Sequence, residues 1–141
     1  MKKFIAISLS ALIFFFLFGC AGADTSLEGK TWTLKTAIVT ENGEARVFAA
    51  DKENSAYPAA KIIRVSLSAA DGKIVITDLN GGKTFVGKYS YSGNSGGGIF
   101  KVFFGEKSGF LVSSFTEYAD GSKISTLTLS VENYTLYFDA E

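Results

Sequence analysis

From Trp32 to Phe138 the chain alternates apolar and polar side chains with a period of two, a pattern that suits half-buried strands. Ile63, Val65 and Leu67 alternate with Arg64, Ser66 and Ser68, and Ile74 and Ile76 continue the pattern. Phe85, Gly87, Tyr89 and Tyr91 stand against Thr84, Val86, Lys88 and Ser90, followed by Phe100, Val102 and Phe104. Trp32, Leu34 and Ile38 are expected on one face of the first strand, with Thr33, Lys35 and Ala37 on the other. Phe110 to Phe115, Ile124 to Val131 and Tyr134 to Phe138 are rich in β-branched and aromatic residues, with Leu127, Leu129 and Val131 facing one way.

Between these runs lie dipeptides that tolerate positive φ: Asn42-Gly43, Asp71-Gly72, Asn80-Gly81 and Asp120-Gly121. Each predicts a hairpin. Glu132-Asn133 reads as a further two-residue turn, with Asn133 as the residue suited to a left-handed conformation. Residues 49–61, AADKENSAYPAAK, break the rhythm and predict a loop or one short helix. The fold class that follows is mainly β, an antiparallel meander of about eight or nine strands forming a small barrel or a strongly bent sheet.

Residues 91–100, YSGNSGGGIF, hold four of the fifteen glycines and superficially suggest a phosphate loop. Such a loop leads into a helix and usually carries a Lys followed by Ser or Thr. Here Ile99-Phe100-Lys101-Val102 reads as a strand, so the glycines are expected to join two strands.

The first residues are of another kind. Lys2 and Lys3 precede an almost wholly apolar stretch over 4–18, the layout of a secretory signal, and that stretch falls short of the roughly 20 apolar residues that span a bilayer. Leu17-Phe18-Gly19-Cys20 resembles the lipobox of bacterial lipoproteins, although Phe18 stands where a small residue is usual. The resemblance implies cleavage before Cys20, a diacylglycerol thioether on its sulfur and an acylated amino terminus, hence attachment through more than one chain. Cys20 is the single cysteine, so an intramolecular disulfide is excluded. Residues 1–19 are thus read as signal peptide, 20–28 as anchor and tether, and 29–141 as one β-rich domain. Ala21 after the cysteine implies, for a lipoprotein of a double-membraned bacterium, the outer membrane.

Without Lys2 and Lys3 the 14 basic residues fall to 12 against 14 acidic ones. No basic run appears, which argues against nucleic acid as a partner. The chain lacks His, and its one Cys is assigned to lipid, so Ser-His and Cys-His nucleophile systems are excluded. Asp78-Leu79-Asn80-Gly81-Gly82 looks like the start of a calcium loop without its later carboxylates and reads as a turn. Glu106, Glu117 and Asp120 are the carboxylates a fold would have to gather for acid-base work. The expectation is no enzyme, no cofactor and no metal.

Eight of the thirteen Phe lie beyond the signal, with Trp32 and six Tyr, enough to fill a core or line a cavity. Ile99 and Phe103 oppose Phe100, Val102 and Phe104, so that strand is either buried on both sides or leaves one apolar face exposed. Trp32, Phe85, Tyr89 and Phe103 are the expected ligand or partner surface.

Leu27-Glu28-Gly29-Lys30-Thr31-Trp32-Thr33-Leu34 resembles the opening of META-type domains, the HslJ-like lipoproteins. Phe85-Val86-Gly87-Lys88-Tyr89 is similar to their Phe-x-Gly-x-Tyr stretch, and Leu127-Thr128-Leu129 with Leu136-Tyr137-Phe138 to their closing hairpin. Gly81-Gly82-Lys83 stands in place of that family's Gly-Cys-Asn, and the Met-rich middle segment is missing. The resemblance implies a non-catalytic, palmitate-type lipid-anchored envelope protein acting in envelope integrity or stress tolerance through protein contacts. Gly29 and Trp32 also resemble, more weakly, the start of lipocalin-like barrels, which implies a carrier of a small apolar ligand or lipid.

Overall fold

The computed structural model describes residues 26–57, 61–92 and 98–141; the signal peptide, Cys20, Pro58 and the centre of the glycine-rich stretch lie outside the described residues. Nine strands follow in order: β1 Trp32–Glu41, β2 Glu44–Ala49, β3 Val65–Ala70, β4 Lys73–Asp78, β5 Thr84–Tyr91, β6 Ile99–Phe104, β7 Lys107–Glu117, β8 Lys123–Val131 and β9 Tyr134–Ala140. All pairings are antiparallel, and β9 returns to β1, so eight strands close into a barrel while β2 hangs on β1 as a ninth. Closure removes the free edges that an open meander would expose.

Two of the four hairpin dipeptides take positive φ at both residues, whereas at Asn80-Gly81 the left-handed residue is Gly82, at 68°, and at Asp120-Gly121 it is Gly121 alone, at 82°. Asn42 and Gly43 have φ of 52° and 80°, and Asp71 and Gly72 of 51° and 73°, the two consecutive left-handed residues of a tight hairpin. At Glu132-Asn133 it is Glu132 that takes the positive φ, 51°, which corrects the assignment of that role to Asn133. No helix forms among the described residues of 49–61. That segment is instead held by Asn54, whose side chain accepts from the Ala49 amide at 2.7 Å and donates to the Ala49 carbonyl at 3.2 Å. Asp51 also receives Arg64 Nε at 2.9 Å.

In β1 the pairing with β9 jumps from Leu34–Phe138 to Thr36–Tyr137, leaving Lys35 as an extra residue. This bulge reverses the inward parity, so Ala37 is buried and Ile38 is not, contrary to the strict alternation expected of β1. The same strand changes partner on its other edge, from β3 at Trp32 and Thr33 to β2 from Thr36 onward.

An eight-stranded barrel is just wide enough for side chains to fill it. Trp32, Leu34, Leu67, Ile74, Phe100, Val102, Leu111, Leu127 and Phe138 do so, each almost fully buried. Glycines permit close approaches between neighbouring strands. A Cβ on Gly109 would lie 2.0 Å from the Ser130 carbonyl oxygen, and one on Gly87 would lie 2.7 Å from the Phe104 ring. Phe104, level with Gly87 and Ile74, can therefore lean across β5 inside the barrel.

Candidate ligand-binding end of the barrel

The strand directions give the barrel two unlike ends. At one lie the segment Ser26–Gly29, the turn Asp71-Gly72, the β5–β6 and β7–β8 connections and the chain's last residue. At the other lie the turns after β1, β4, β6 and β8.

The first end is closed. Leu27 is 2% exposed and packs into the core, and its carbonyl accepts the indole N–H of Trp32 at 3.1 Å. Tyr89 donates its hydroxyl to the Glu28 carboxylate and sets its ring edge-on to Phe100 at 5.8 Å between centroids. Its pKa is pushed up to about 12, first by partial burial and then by the hydrogen bond and charge of Glu28, so the phenol is protonated at neutral pH. Tyr91 covers the other side of Phe100 at 4.6 Å and remains largely exposed. Of the buried polar side-chain atoms, Ser113 Oγ has no hydrogen-bond partner among the described residues.

The second end is open. A mouth of about 470 Å³ is lined by Val65, Ile76, Phe85, Phe104, Leu129, Val131, Tyr134 and Leu136, with Lys107 at the rim. These are the last inward-facing positions of β3 to β9 before the turns, so the alternation that fills the barrel also makes its open end apolar. Two ammonium groups stand by this apolar wall. Lys83 Nζ lies 5.1 Å from the centre of the Phe85 ring, and Lys107 Nζ meets Glu132 Oε2 at 2.8 Å. That carboxylate raises the pKa of Lys107, keeping it charged.

The four residues expected to form a surface do not converge. Trp32 is wholly inside the closed end and Tyr89 is bonded at its edge, whereas Phe85 lines the open mouth and Phe103 lies outside the barrel, 45% exposed. Of the mouth residues, only Phe85 belongs to the surface expected from the sequence; Ile76, Phe104, Val131 and Leu136 are among those it did not single out. Their signal was present in the parity of each strand, but it needed the turns to be sorted by end.

The carboxylates do not gather either. Glu106 sits in the turn after β6, while Glu117 and Asp120 lie at the opposite end. Glu117 pairs with Lys123 at 3.5 Å, and Asp120 accepts from the amide and hydroxyl of Ser122, which holds its carboxyl below the usual range. Asp78 accepts from the Asn80 amide at 3.0 Å in a simple Asx turn. Among the described residues no cluster of ligating side chains is suited to a metal ion. The glycine-rich stretch joins β5 to the antiparallel β6, with Ser92 N donating to the Ile99 carbonyl, so the element after the glycines is a strand.

The class that fold and site define is a small closed β-barrel with one sealed end and one open apolar end. Comparison with protein-family models, curated proteins and solved structures gives no match to this chain.

Proposed function

We propose that this chain is a lipid-anchored, non-catalytic envelope protein whose barrel binds a small apolar ligand or acyl chain at its open end. The observation that carries this reading is the mouth of about 470 Å³, walled by aliphatic and aromatic side chains. Its size is within the range of small-molecule sites, and such sites combine an apolar wall with a few polar groups that fix orientation. Lys83 is such a group here, and Lys107, paired with Glu132, is a second polar group at the rim. Burial of the apolar part supplies the affinity, at about 25 cal/mol per Å² removed from water, and the ammonium groups favour a ligand with an anionic or polar end at the rim.

The lipobox-like Leu17-Phe18-Gly19-Cys20 supports anchoring through Cys20, in the outer membrane where the host has one. The described chain begins at the closed end, where Ser26–Gly29 lies. The META-like alternative, envelope integrity or stress tolerance through protein contacts, draws instead on the exposed aromatic residues outside the barrel, Phe103 and Phe110.

Native mass spectrometry on the chain purified from its own host tests the carrier reading. A small molecule retained under native conditions, released on denaturation and absent from the Val131→Trp variant is the expected result. A clean protein mass, together with no binding of an environment-sensitive fluorescent fatty acid, would overturn it in favour of protein contacts.

A further inference from the structure

The outer surface of β4 to β8 carries an unusual combination. Its outward positions on β5, β6 and β7 include Val86, Ile99, Phe103, Phe110 and Val112, all exposed, with Phe110 at 48%. Isolated exposed apolar residues are ordinary, but these are neighbours. Ile99 lies directly across from Val112, and Phe110 is two residues from Val112 on the same face. Between them stand lysines: Lys101 opposite Phe110, Lys88 opposite Phe103, and Lys73 opposite Lys88.

Two like charges directly across a strand pair repel each other. None of these three lysines has an ion-pair partner among the described residues. No carboxylate occupies an outward position on β4 to β8, where the other residues are Ser, Thr, Val, Ile or Phe. The acidic residues lie elsewhere, so a chain that is slightly acidic after its signal presents one apolar and purely cationic face. On that face a depression of about 320 Å³ opens between Lys73, Val86, Lys88 and Phe103.

We propose that this face lies on the surface of an anionic lipid bilayer, with Phe103, Phe110, Ile99 and Val112 at the acyl boundary and Lys73, Lys88 and Lys101 against lipid phosphates. Aromatic and aliphatic residues interleaved with lysines suit the headgroup region, where apolar burial and attraction to anionic lipid act together. The place of the anchor agrees with this partner. Cys20 precedes Ser26 by six residues, a reach of about 20 Å when extended. The chain enters at the closed end, beside which Ile99 and Val112 also lie. A tether of that length keeps the face within reach of the bilayer and leaves the barrel free to lie on its side. Lying so, it brings the rim at Lys107, on β7, toward the lipid as well.

The test uses the chain from residue 20 onward with Cys20→Ser, so that binding owes nothing to acylation, and co-flotation with vesicles of phosphatidylglycerol or of phosphatidylcholine. Binding to the phosphatidylglycerol vesicles that weakens with salt is expected. The pair Phe103→Ser and Phe110→Ser should weaken it at least tenfold, and each of Lys88→Glu and Lys101→Glu at least about fivefold. Thermal unfolding checks that the variants stay folded, and these outward positions should tolerate the changes. Absence of vesicle binding at low salt, or binding unchanged in the double Phe variant and in both Lys variants, would overturn the proposal. So would concentration-dependent dimers that the Phe variants dissolve, since the face would then meet a second copy. Because the mouth residues are untouched, these outcomes are independent of whether a ligand occupies the open end.

Discussion

The two ends of the barrel are made by the same strands with the same alternation, yet one is sealed and the other is not. At the sealed end the segment before β1 folds back, so that Leu27 caps Trp32 and Glu28 reaches Tyr89. At the open end the connections after β4, β6 and β8 turn at the rim and leave a mouth lined by strand residues and Lys107. Aromatic content therefore does not by itself mark a site. Trp32 and Phe100 are structural because the Ser26–Gly29 segment and the Tyr89 and Tyr91 rings lie against them; Phe85 is available at the open mouth.

Perturbing each end should therefore separate stability from binding. The largest effect is expected at the sealed end, where Trp32→Ala removes a fully buried indole and should lower unfolding free energy by about 3–5 kcal/mol in urea titrations. Next comes the wall between the ends. Gly109→Ala would place a Cβ 2.0 Å from the Ser130 carbonyl oxygen, and overpacking of this kind should cost about 1–3 kcal/mol by the same measurement. Phe85→Ala, at a residue 49% exposed in the mouth, should cost less than about 1 kcal/mol while weakening fatty-acid binding several-fold.

The smallest effect is a pH dependence confined to the sealed end. The folded pKa of Tyr89, about 12, exceeds its ordinary value of 10.0, so the folded chain holds this proton more tightly than the unfolded chain. The associated stability is fully present below pH 10 and is lost as pH rises from about 10 toward about 12. Tyr89→Phe should flatten that part of the profile relative to the parent chain, whereas Phe85→Ala should leave its slope unchanged. Urea midpoints across this range supply the measurement.

Much of the architecture was legible in the sequence because strands and tight turns are local. The period of two located the strands, and Asn42-Gly43 and Asp71-Gly72 marked hairpins that formed with the expected backbone. What could not be read was set by pairing over distance. The bulge at Lys35 depends on how β1 meets β9, and it moved Ala37 rather than Ile38 into the core. The convergence of Phe85 with Phe104, Val131 and Leu136 depends on which turns share an end, a property of closure rather than of any one run. Phe103 shows the same limit. Alternation alone leaves its strand either buried on both sides or exposed on one, and only the barrel's single interior decides for exposure.

On the proposed reading the open end, and not the sealed one, receives a ligand. The most direct test of that reading titrates an environment-sensitive fluorescent fatty acid against the parent chain, Val131→Trp at the mouth, and Tyr91→Ala at the sealed end, with thermal unfolding confirming that all three are folded. Equal affinity for the parent and Tyr91→Ala, with at least a tenfold loss in Val131→Trp, is the predicted result. Undiminished binding by Val131→Trp, or a loss confined to Tyr91→Ala, would contradict it.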